Sequence, residues 1–384
     1  MIISNTINKI MDAPIQKIKS YCKNKKNIIS LAQGLPWFGP PPQALRKAVE
    51  RIQKGEGHKY GPDEGNYKLR FLLSNFLKSL NIKGSLPENI IITPGANQAA
   101  FLALATISDK GDEIILFRPY YFNHLMAVQI LGLKPVIVET DDNYHIDPDV
   151  LRSKISNKTK AIILVSPSNP TGAMIDFSIL SELLEIAYRY GIYIISDEPY
   201  FHFVWEKKHF SPLTFDDTLT IGLWSFSKSY GMSGWRLGWM KVPNFLVQHI
   251  IKVADTLHVC PPVPSQILAE EVMLNFKDYP FQFLSDIKKS RDILIQNLLP
   301  AVERGVIDFP KNEGGFYIFI KFRKEKRSGW EIAKILIDRY GLATVPGEPF
   351  GMREKAYLRL SFGNLPPHMM EKASEILKKS LLFL

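Results

Sequence analysis

The 384-residue sequence has only two cysteines, Cys22 and Cys260, and its eight histidines are scattered, with no H-x-x-x-H pair. Neither residue type shows the spacing of a metal site, so we expect no bound metal. The two cysteines also lack the spacing of a redox motif. This scarcity favours a reducing compartment, and we expect a cytoplasmic location.

Long apolar runs are missing as well. No run approaches the roughly 20 residues that a membrane span needs, and the first 21 residues mix Asn, Lys and Asp with apolar residues, unlike a secretory signal. The net charge of +10 comes from basic residues spread along the chain, and the densest run, 321–327, is typical of a solvated loop. We therefore expect neither a membrane nor a nucleic acid as a partner. A basic field favours anionic ligands.

What the sequence does contain is a regular alternation of strand and helix patterns from residue 89 onward. Helical patterns separate most of the apolar runs, as expected for strands that are connected by crossovers and buried on both faces. This rhythm predicts an α/β fold whose large domain has a mostly parallel seven-stranded sheet wrapped by helices. The strands are predicted at 89–93, 113–118, 134–139, 160–166, 192–196, 219–224 and 237–242.

The C-terminal third of the chain has a different pattern. A long helix predicted over 281–299 leaves the large domain, and short strands then alternate with helices. This pattern predicts a smaller α+β domain, joined by the N-terminal segment. We assign the large domain to 41–285 and the small domain to 1–40 together with 286–384.

The clearest chemical signal lies between Ser225 and Gly238. Lys228 follows an apolar strand pattern, and a lysine at an interior strand end is costly to bury unless chemistry uses it. Lysine amines form Schiff bases with carbonyl compounds, and pyridoxal phosphate (PLP) is the commonest such partner. Ser225 and Arg236 suit the phosphate, because hydroxyls and guanidinium groups bind phosphate oxygens.

The residues from Ser225 to Lys228 also match S-x-x-K, the nucleophile motif of penicillin-binding enzymes. That chemistry needs S-D-N and K-T-G elements, and neither string occurs in this sequence. The hydrolase interpretation therefore has little support.

Three polar loops follow predicted strands, where a ligand site at the carboxyl edge of a sheet requires them. The turn at Gly95 opens a helix, whose first N–H groups suit a phosphate. A stiff loop surrounds Asn169. Asp197 ends an apolar run, and a carboxylate buried there needs a cation or a donor such as a pyridinium N–H.

Six motifs in one order give the chain its resemblance to a known family. It resembles the class I/II aminotransferases of the fold-type-I PLP enzymes, the aspartate aminotransferase superfamily, from Gly34 to Arg359. The motifs are Y-x-x-x-x-G at Tyr60, G-A-N at Gly95, S-x-x-N-P-T-G at Ser166, D-E-x-Y at Asp197, S-x-S-K with R-x-G at Ser225, and R-x-S-F at Arg359.

The resemblance implies a role for each motif residue. Lys228 would hold PLP covalently and move the reacting proton, and Asp197 would keep the pyridine nitrogen protonated. Tyr200 joins them as the third catalytic residue. The other implied cofactor contacts are Asn169 and Tyr200 at the 3′ oxygen, Tyr121 stacked on the ring, and Ala96, Asn97, Ser225 and Arg236 at the phosphate.

The resemblance also implies the substrate contacts. Arg359 would bind the α-carboxylate, with the Gly34 backbone and Asn169 nearby. Trp37 stands where many relatives have an acidic residue, so we expect an aromatic or bulky amino donor alongside glutamate, with 2-oxoglutarate or pyruvate as acceptor. Two alternatives stay open: Trp37 only packs the domain hinge while an unrecognised arginine binds a dicarboxylate, or Arg359 points outward to a surface acid.

Tyr60 lies far upstream of the other phosphate residues. In the resembling family this tyrosine reaches the phosphate of the neighbouring subunit, so we expect a homodimer with shared active sites. A PLP-dependent lyase, amino-acid oxidase or cyclase on the same fold stays open, because its site residues would be nearly identical. A PLP-sensing regulator is disfavoured, since the lead-in segment is too short for a DNA-binding domain.

Overall fold

The computed structural model describes residues 3–215 and 218–383. The outermost positions of the two ranges assigned to the small domain, residues 1, 2 and 384, therefore lie outside the description. Seven strands form the large sheet: β1 (Ile90–Thr93), β2 (Glu113–Arg118), β3 (Lys134–Glu139), β4 (Thr159–Val165), β5 (Tyr193–Asp197), β6 (Thr220–Ser225) and β7 (Gly238–Lys241).

The strand order in this sheet is β1-β7-β6-β5-β4-β2-β3. Strand β7 runs antiparallel to both of its neighbours, and the other pairs are parallel. The predicted fold class is thus confirmed, and each predicted strand agrees with its observed counterpart to within one residue at each end. The agreement follows from burial on both faces, which leaves an uninterrupted apolar run in the sequence.

A second, four-stranded antiparallel sheet belongs to the C-terminal part of the chain. A separate two-residue parallel pairing joins Ile29–Ser30 to Leu342–Ala343. Through that pairing the N-terminal segment joins the C-terminal unit. The four strands of the antiparallel sheet are β8 (Ile307–Asp308), β9 (Tyr317–Phe322), β10 (Val345–Pro346) and β11 (Tyr357–Ser361). Their order in the sheet is β10-β11-β9-β8.

Helices cover both faces of the large sheet and also pack against the small one. The described α-helices are α1 (Asn5–Lys9), α2 (Pro14–Cys22), α3 (Pro42–Gln53), α4 (Tyr67–Ser79), α5 (Ala96–Ile107), α6 (Phe122–Ile130), α7 (Pro148–Arg152), α8 (Phe177–Tyr190), α9 (Phe226–Ser229), α10 (Val247–His258), α11 (Val263–Asn275), α12 (Leu284–Glu303), α13 (Gly329–Tyr340) and α14 (Pro367–Phe383).

Local chemistry explains several helix ends. The Asp147 carboxylate accepts hydrogen bonds from the N–H groups of Asp149 (2.8 Å) and Val150 (3.4 Å), so it caps α7 as its sequence position predicts. The predicted long helix starts three residues late, at Leu284, because Pro280 lies in a preceding 3₁₀ turn. Helices α1 and α2 form within the lead-in, for which the sequence predicted no definite structure.

The core of the large sheet lies on both of its faces. Ile114 and Leu116 pack against α5, α6 and α10, while Ile115 packs against α7 and α8 on the other side. Among the described residues, no helix combines the length and the apolar character that a bilayer crossing requires. The carboxyl edge of this sheet, where β5 ends at Asp197 and β6 ends at Ser225, faces the small domain.

Candidate active site

A cavity of about 530 Å³ opens at the carboxyl edge of the large sheet. It brings together all but two of the predicted site residues, although they come from both domains. Those in its wall are Gly34, Ala96, Asn97, Tyr121, Asn169, Asp197, Tyr200, Ser225, Lys228, Arg236 and Arg359.

Lys228 lies on α9, a single helical turn that begins where β6 ends. The Ser225 hydroxyl accepts a hydrogen bond from the Ser227 N–H (3.1 Å) and thereby caps this turn. The ammonium of Lys228 donates to the Gly34 carbonyl. Burial, with the nearby charges of Arg359 and Arg236, lowers the pKa of Lys228 to about 7. A large share of this amine is therefore neutral, and hence nucleophilic, near neutral pH.

Asp197 is buried with one oxygen uncommitted. Its Oδ2 lies 3.2 Å from Nε2 of His124, but the two atoms are not aligned for a hydrogen bond. Its Oδ1 has no hydrogen-bond partner among the described residues. A buried carboxylate oxygen without a donor is costly, so this arrangement suits a ligand that brings an N–H group.

The start of α5 and the guanidinium of Arg236 form one side of the cavity. Ala96 and Asn97 are the first residues of α5, and no side chain caps this helix, so its first N–H groups are open to a ligand. Gly95 has φ 89°, and a Cβ there would lie 2.6 Å from Nη2 of Arg236. Glycine thus lets the guanidinium approach the helix start, and the combination suits a phosphate.

Arg359 lies on β11 with a side chain that is almost fully buried. Its Nη1 donates to Oδ1 of Asn169 (2.9 Å), and its Nη2 donates to the Ala32 carbonyl. Among the described residues its Nε has no partner, and its contacts include no carboxylate. The alternative of an outward arginine with a surface acid is therefore wrong. A buried cation without an anion suits the carboxylate of a ligand.

Two tyrosines complete the wall. The hydroxyl of Tyr200 lies 2.6 Å from the hydroxyl of Tyr317, and burial raises the pKa of Tyr200 well above its usual value. Burial also raises the pKa of Tyr121 to about 12, and its ring meets His124 edge-to-face at 5.2 Å between centroids. Both phenols are protonated at neutral pH, so both can donate hydrogen bonds to a ligand.

The structure does not bring Tyr60 and Trp37 into this cavity. Tyr60 is 84 % exposed. Trp37 is 36 % exposed and packs edge-to-face on Phe283, with 5.4 Å between centroids. Phe283 immediately precedes α12, so Trp37 has the hinge-like packing that the sequence left open as its alternative role.

Sequence reasoning missed three parts of the wall or its surroundings. His124 lies in the first turn of α6, 3.2 Å from Asp197, and its closeness in the sequence to Tyr121, the residue before that helix, could have indicated it. Tyr317 sits in an apolar strand pattern that gives no such signal. The sequence of α2 gives no signal either, although this helix contributes Ile15, Gln16 and Lys19 to the cavity.

Comparisons with known proteins agree with this geometry. The sequence model of the family described as aminotransferase class I and II matches residues 26–377. Aromatic aminotransferase ISS1 of Arabidopsis thaliana is 32 % identical, covering 96 % of this chain and 94 % of that protein. A probable aspartate aminotransferase of Methanocaldococcus jannaschii is also 32 % identical, covering 94 % and 99 %.

A solved structure extends the likeness to three dimensions. The aspartate aminotransferase from Thermus thermophilus with maleate superposes with a TM-score of 0.92 at 26 % identity. The match covers 99 % of this chain and 100 % of that one. It therefore includes both sheets and the cavity between them.

Proposed function

The chain belongs to the aminotransferase class I and II family, and we propose that the cavity around Lys228 is its active site. The protein is a PLP-dependent aminotransferase, which transfers an amino group between an amino acid and a 2-oxo acid. The observation that carries the site assignment is Lys228 itself, a half-buried amine with a lowered pKa that lines a cavity beside groups suited to a phosphate, a pyridinium and a carboxylate.

The residues of the cavity fit PLP. The uncommitted Oδ1 of Asp197 suits the ring N–H, and the start of α5 with Arg236 suits the phosphate. When bound, PLP supplies an aldehyde for amines and a protonated ring that takes up electrons from the substrate. Asp197 keeps that ring nitrogen protonated, because a carboxylate in a low-dielectric site favours the cationic partner.

The proposal assigns a role to each of the remaining residues. Lys228 would bond covalently to the cofactor through Nζ and, as a free amine, would carry the proton between the substrate Cα and the cofactor carbon C4′. Asn169 and Tyr200 would donate hydrogen bonds to the 3′ oxygen, and Tyr121 would stack on the ring. Arg359 binds the α-carboxylate through its two terminal nitrogens and so fixes the orientation of Cα.

The cavity supports a broad choice of substrate. Ile15, Leu35 and Phe122 give it an apolar wall for an aromatic or bulky donor, and Arabidopsis and archaeal relatives are named for aromatic and aspartate substrates. Gln16 and Lys19, one turn apart on α2, offer polar partners for the distal carboxylate of glutamate or 2-oxoglutarate. Trp37 lies outside the wall, so its predicted substrate contact draws no support from this arrangement.

The assignment of Lys228 is tested by trapping the covalent link. Borohydride reduction of the holoenzyme should attach PLP irreversibly to the peptide that contains Lys228, as seen by mass spectrometry. Lys228→Ala should abolish the labelled peptide, whereas Lys252→Ala, at an exposed site on α10, should leave it intact. A reduced link on another lysine would show that the wrong residue was chosen.

A homodimer with shared active sites is the second part of the proposal. Tyr60 is exposed, yet its loop is firmly held: the Asn66 N–H donates to Oε1 of Gln266 (2.7 Å), and Nε of Arg70 donates to the Gly65 carbonyl (3.0 Å). A rigid loop that presents a solvent-exposed tyrosine supports a contact with the phosphate bound by a second subunit.

Mixed dimers test this sharing. Tyr60→Ala and Lys228→Ala should each be weakly active or inactive alone. After the two are unfolded and refolded together, dimers that contain one subunit of each kind have one intact site, so activity should reappear. Failure of the mixture to regain activity, with dimers present by sedimentation, would contradict the sharing.

We also propose the domain division at 41–285, with 1–40 and 286–384 as the small domain. All seven strands of the large sheet lie between residues 90 and 241, and the antiparallel sheet lies between 307 and 361. Limited proteolysis should cut first near these boundaries.

The cytoplasm is the proposed compartment. Both cysteines, Cys22 and Cys260, are free thiols in the described structure, which suits reducing conditions. Fractionation of cells that produce the protein at natural levels tests this location.

A further inference from the structure

Tyr317 has no role in the mechanism above, although it lies at the centre of the site. It is the first residue of β9, which pairs with the β11 strand that carries Arg359. Its backbone carbonyl accepts a hydrogen bond from Nδ2 of Asn312 (2.7 Å), and Oδ1 of Asn312 is held by the indole of Trp205 (2.7 Å). The position of Tyr317 is thus fixed without any help from a ligand.

The ring of Tyr317 supports Arg359. The guanidinium carbon lies 4.4 Å from the ring centroid, within the range of a cation–π contact. Arg359 lacks a carboxylate partner among the described residues, so this ring face and two oxygen acceptors hold the guanidinium in place. The ring thereby limits the orientations in which Arg359 can meet a substrate carboxylate.

The hydroxyl of Tyr317 faces the other way, toward Tyr200. The two hydroxyl oxygens are 2.6 Å apart, and either can donate. If Tyr200 donates to a ligand oxygen, its own oxygen must accept from Tyr317, so a single direction of donation remains. A donor that is itself hydrogen-bonded in this way is polarised and donates more strongly.

Gly34 makes this arrangement possible. A Cβ at position 34 would lie 1.7 Å from the Tyr317 hydroxyl oxygen, which no packing adjustment of a few tenths of an ångström can relieve. The Gly34 carbonyl also accepts from Lys228. The absence of a side chain at this one position therefore leaves room for the hydroxyl pair beside the reactive amine.

We propose that Tyr317 is a positioning residue that serves two groups at once, its ring holding Arg359 for the substrate carboxylate and its hydroxyl strengthening Tyr200 as a donor to the cofactor 3′ oxygen. The inference rests on the proposed function of this cavity. It predicts that the two contributions separate when the hydroxyl and the ring are removed in turn.

Two variants make that separation. Tyr317→Phe removes the hydroxyl and keeps the ring, whereas Tyr317→Leu removes both. Tyr357→Phe is the matched control, a buried tyrosine on the neighbouring strand β11 that lies outside the cavity wall. All measurements use the holoenzyme, and circular dichroism verifies that each variant is folded.

The first readout is the pH midpoint at which the absorbance of the bound cofactor changes. It reports the proton shared between Nζ of Lys228 and the 3′ oxygen. A weaker donor at Tyr200 leaves more negative charge on that oxygen, so Tyr317→Phe should raise the midpoint by about 0.5–1 pH unit. The groups near the hydroxyl pair that also carry or lose charge are Arg359, Lys228 and Tyr121, and all of them are unchanged in this variant.

The second readout is the dissociation constant of 3-phenylpropionate, an unreactive carboxylate, followed by cofactor absorbance. Tyr317→Phe should bind it like the wild type, while Tyr317→Leu should bind it roughly 5–30-fold more weakly, the worth of a buried cation–π contact. Tyr357→Phe should move neither readout.

The outcomes distinguish this inference from the proposed function. A wild-type holoenzyme without a borohydride-reducible link at Lys228 would refute the proposed function itself. With that link present, an unchanged midpoint in Tyr317→Phe overturns the role of the hydroxyl. Unchanged carboxylate binding in folded Tyr317→Leu overturns the role of the ring.

Discussion

Asp197 and Glu198 are neighbours in the chain, but their carboxylates differ in the hydrogen-bond donors that the fold provides. Both are buried, with exposed fractions of 4 % and 1 %. Oε1 of Glu198 accepts hydrogen bonds from the hydroxyls of Ser196 (2.8 Å) and Ser211 (2.7 Å), and its Oε2 lies 2.8 Å from Nε2 of His209. Asp197 has one oxygen with no donor among the described residues.

The difference separates a structural acid from a ligand-binding acid. A buried carboxylate must be compensated by donors, and Glu198 finds them within the chain. Asp197 faces the cavity and leaves part of that compensation to whatever binds there. The same residue class at the same sheet edge thus stabilises the fold at one position and is held ready for a ligand at the next.

The largest expected effect concerns Asp197. Asp197→Asn keeps the shape but removes the charge that holds the ring proton, so kcat/KM should fall by about 10²–10³-fold, the usual size for loss of one preorganised electrostatic contact. The free energy of unfolding of the apoprotein should not fall, because the substitution removes an uncompensated buried charge. Steady-state kinetics and urea unfolding measure the two. If Asp197→Asn is destabilised but keeps near-native turnover, Asp197 is a structural acid and not a ligand-binding one.

Glu198→Gln should give the opposite result. The amide cannot accept as many hydrogen bonds, and at least one buried donor loses its partner, so the free energy of unfolding should fall by about 2 kcal/mol. Turnover of the folded enzyme should stay near that of the wild type, since Glu198 does not line the cavity. Denaturant midpoints and kcat decide this, and a variant of normal stability with low kcat would assign Glu198 to the chemistry.

The arginines extend the comparison to cations. Arg51 contacts Glu56, Glu270 and Glu271, whereas the contacts of Arg359 among the described residues include no acid. Arg359→Lys keeps the charge but loses the bidentate geometry, so KM for the amino donor should rise roughly 10-fold. Arg51→Lys is the control and should leave KM unchanged. Equal effects on KM from both variants would argue against a special role for Arg359.

The smallest expected effect, counted per pH unit, is that of Lys228 on the free energy of unfolding. Its pKa is about 7 in the folded apoprotein and about 10.4 in an unfolded chain, so between these values the unfolded state binds more protons. The free energy of unfolding should therefore rise with pH from about 7 to about 10, by at most ~1.4 kcal/mol per pH unit. Lys228→Met should lack this part of the rise. If the free energies of unfolding of the wild type and of Lys228→Met rise in parallel with pH, the perturbed pKa belongs to a group other than Lys228.

The sequence revealed those parts of the molecule whose causes are local. The strands of the large sheet are buried on both faces, so each is an apolar run that can be recognised by itself. Asp147 caps its helix through neighbours two and three residues away. Lys228 and Asp197 stand out because a charged residue directly follows or ends such a run.

Contacts between segments that are distant in the chain produce no local sequence pattern of this kind. Tyr317 meets Tyr200 across 117 positions, and Arg359 reaches Ala32 across 327. Nothing near Tyr317 in the sequence marks it as polar in function, because its strand is otherwise apolar. The sequence predicts Trp37 beside the substrate because many relatives have an acidic residue at that position, but its ring packs on Phe283 instead.

Helix α2 has a consequence for redesign. Pro14 and Ile18 anchor it in the protein, while Ile15, Gln16 and Lys19 line the cavity. A mutant library confined to these three positions would vary the lining of the substrate pocket on one helix and would leave the reactive lysine and its neighbours unchanged. Gly34 offers no such freedom, since any side chain there collides with the buried hydroxyl of Tyr317.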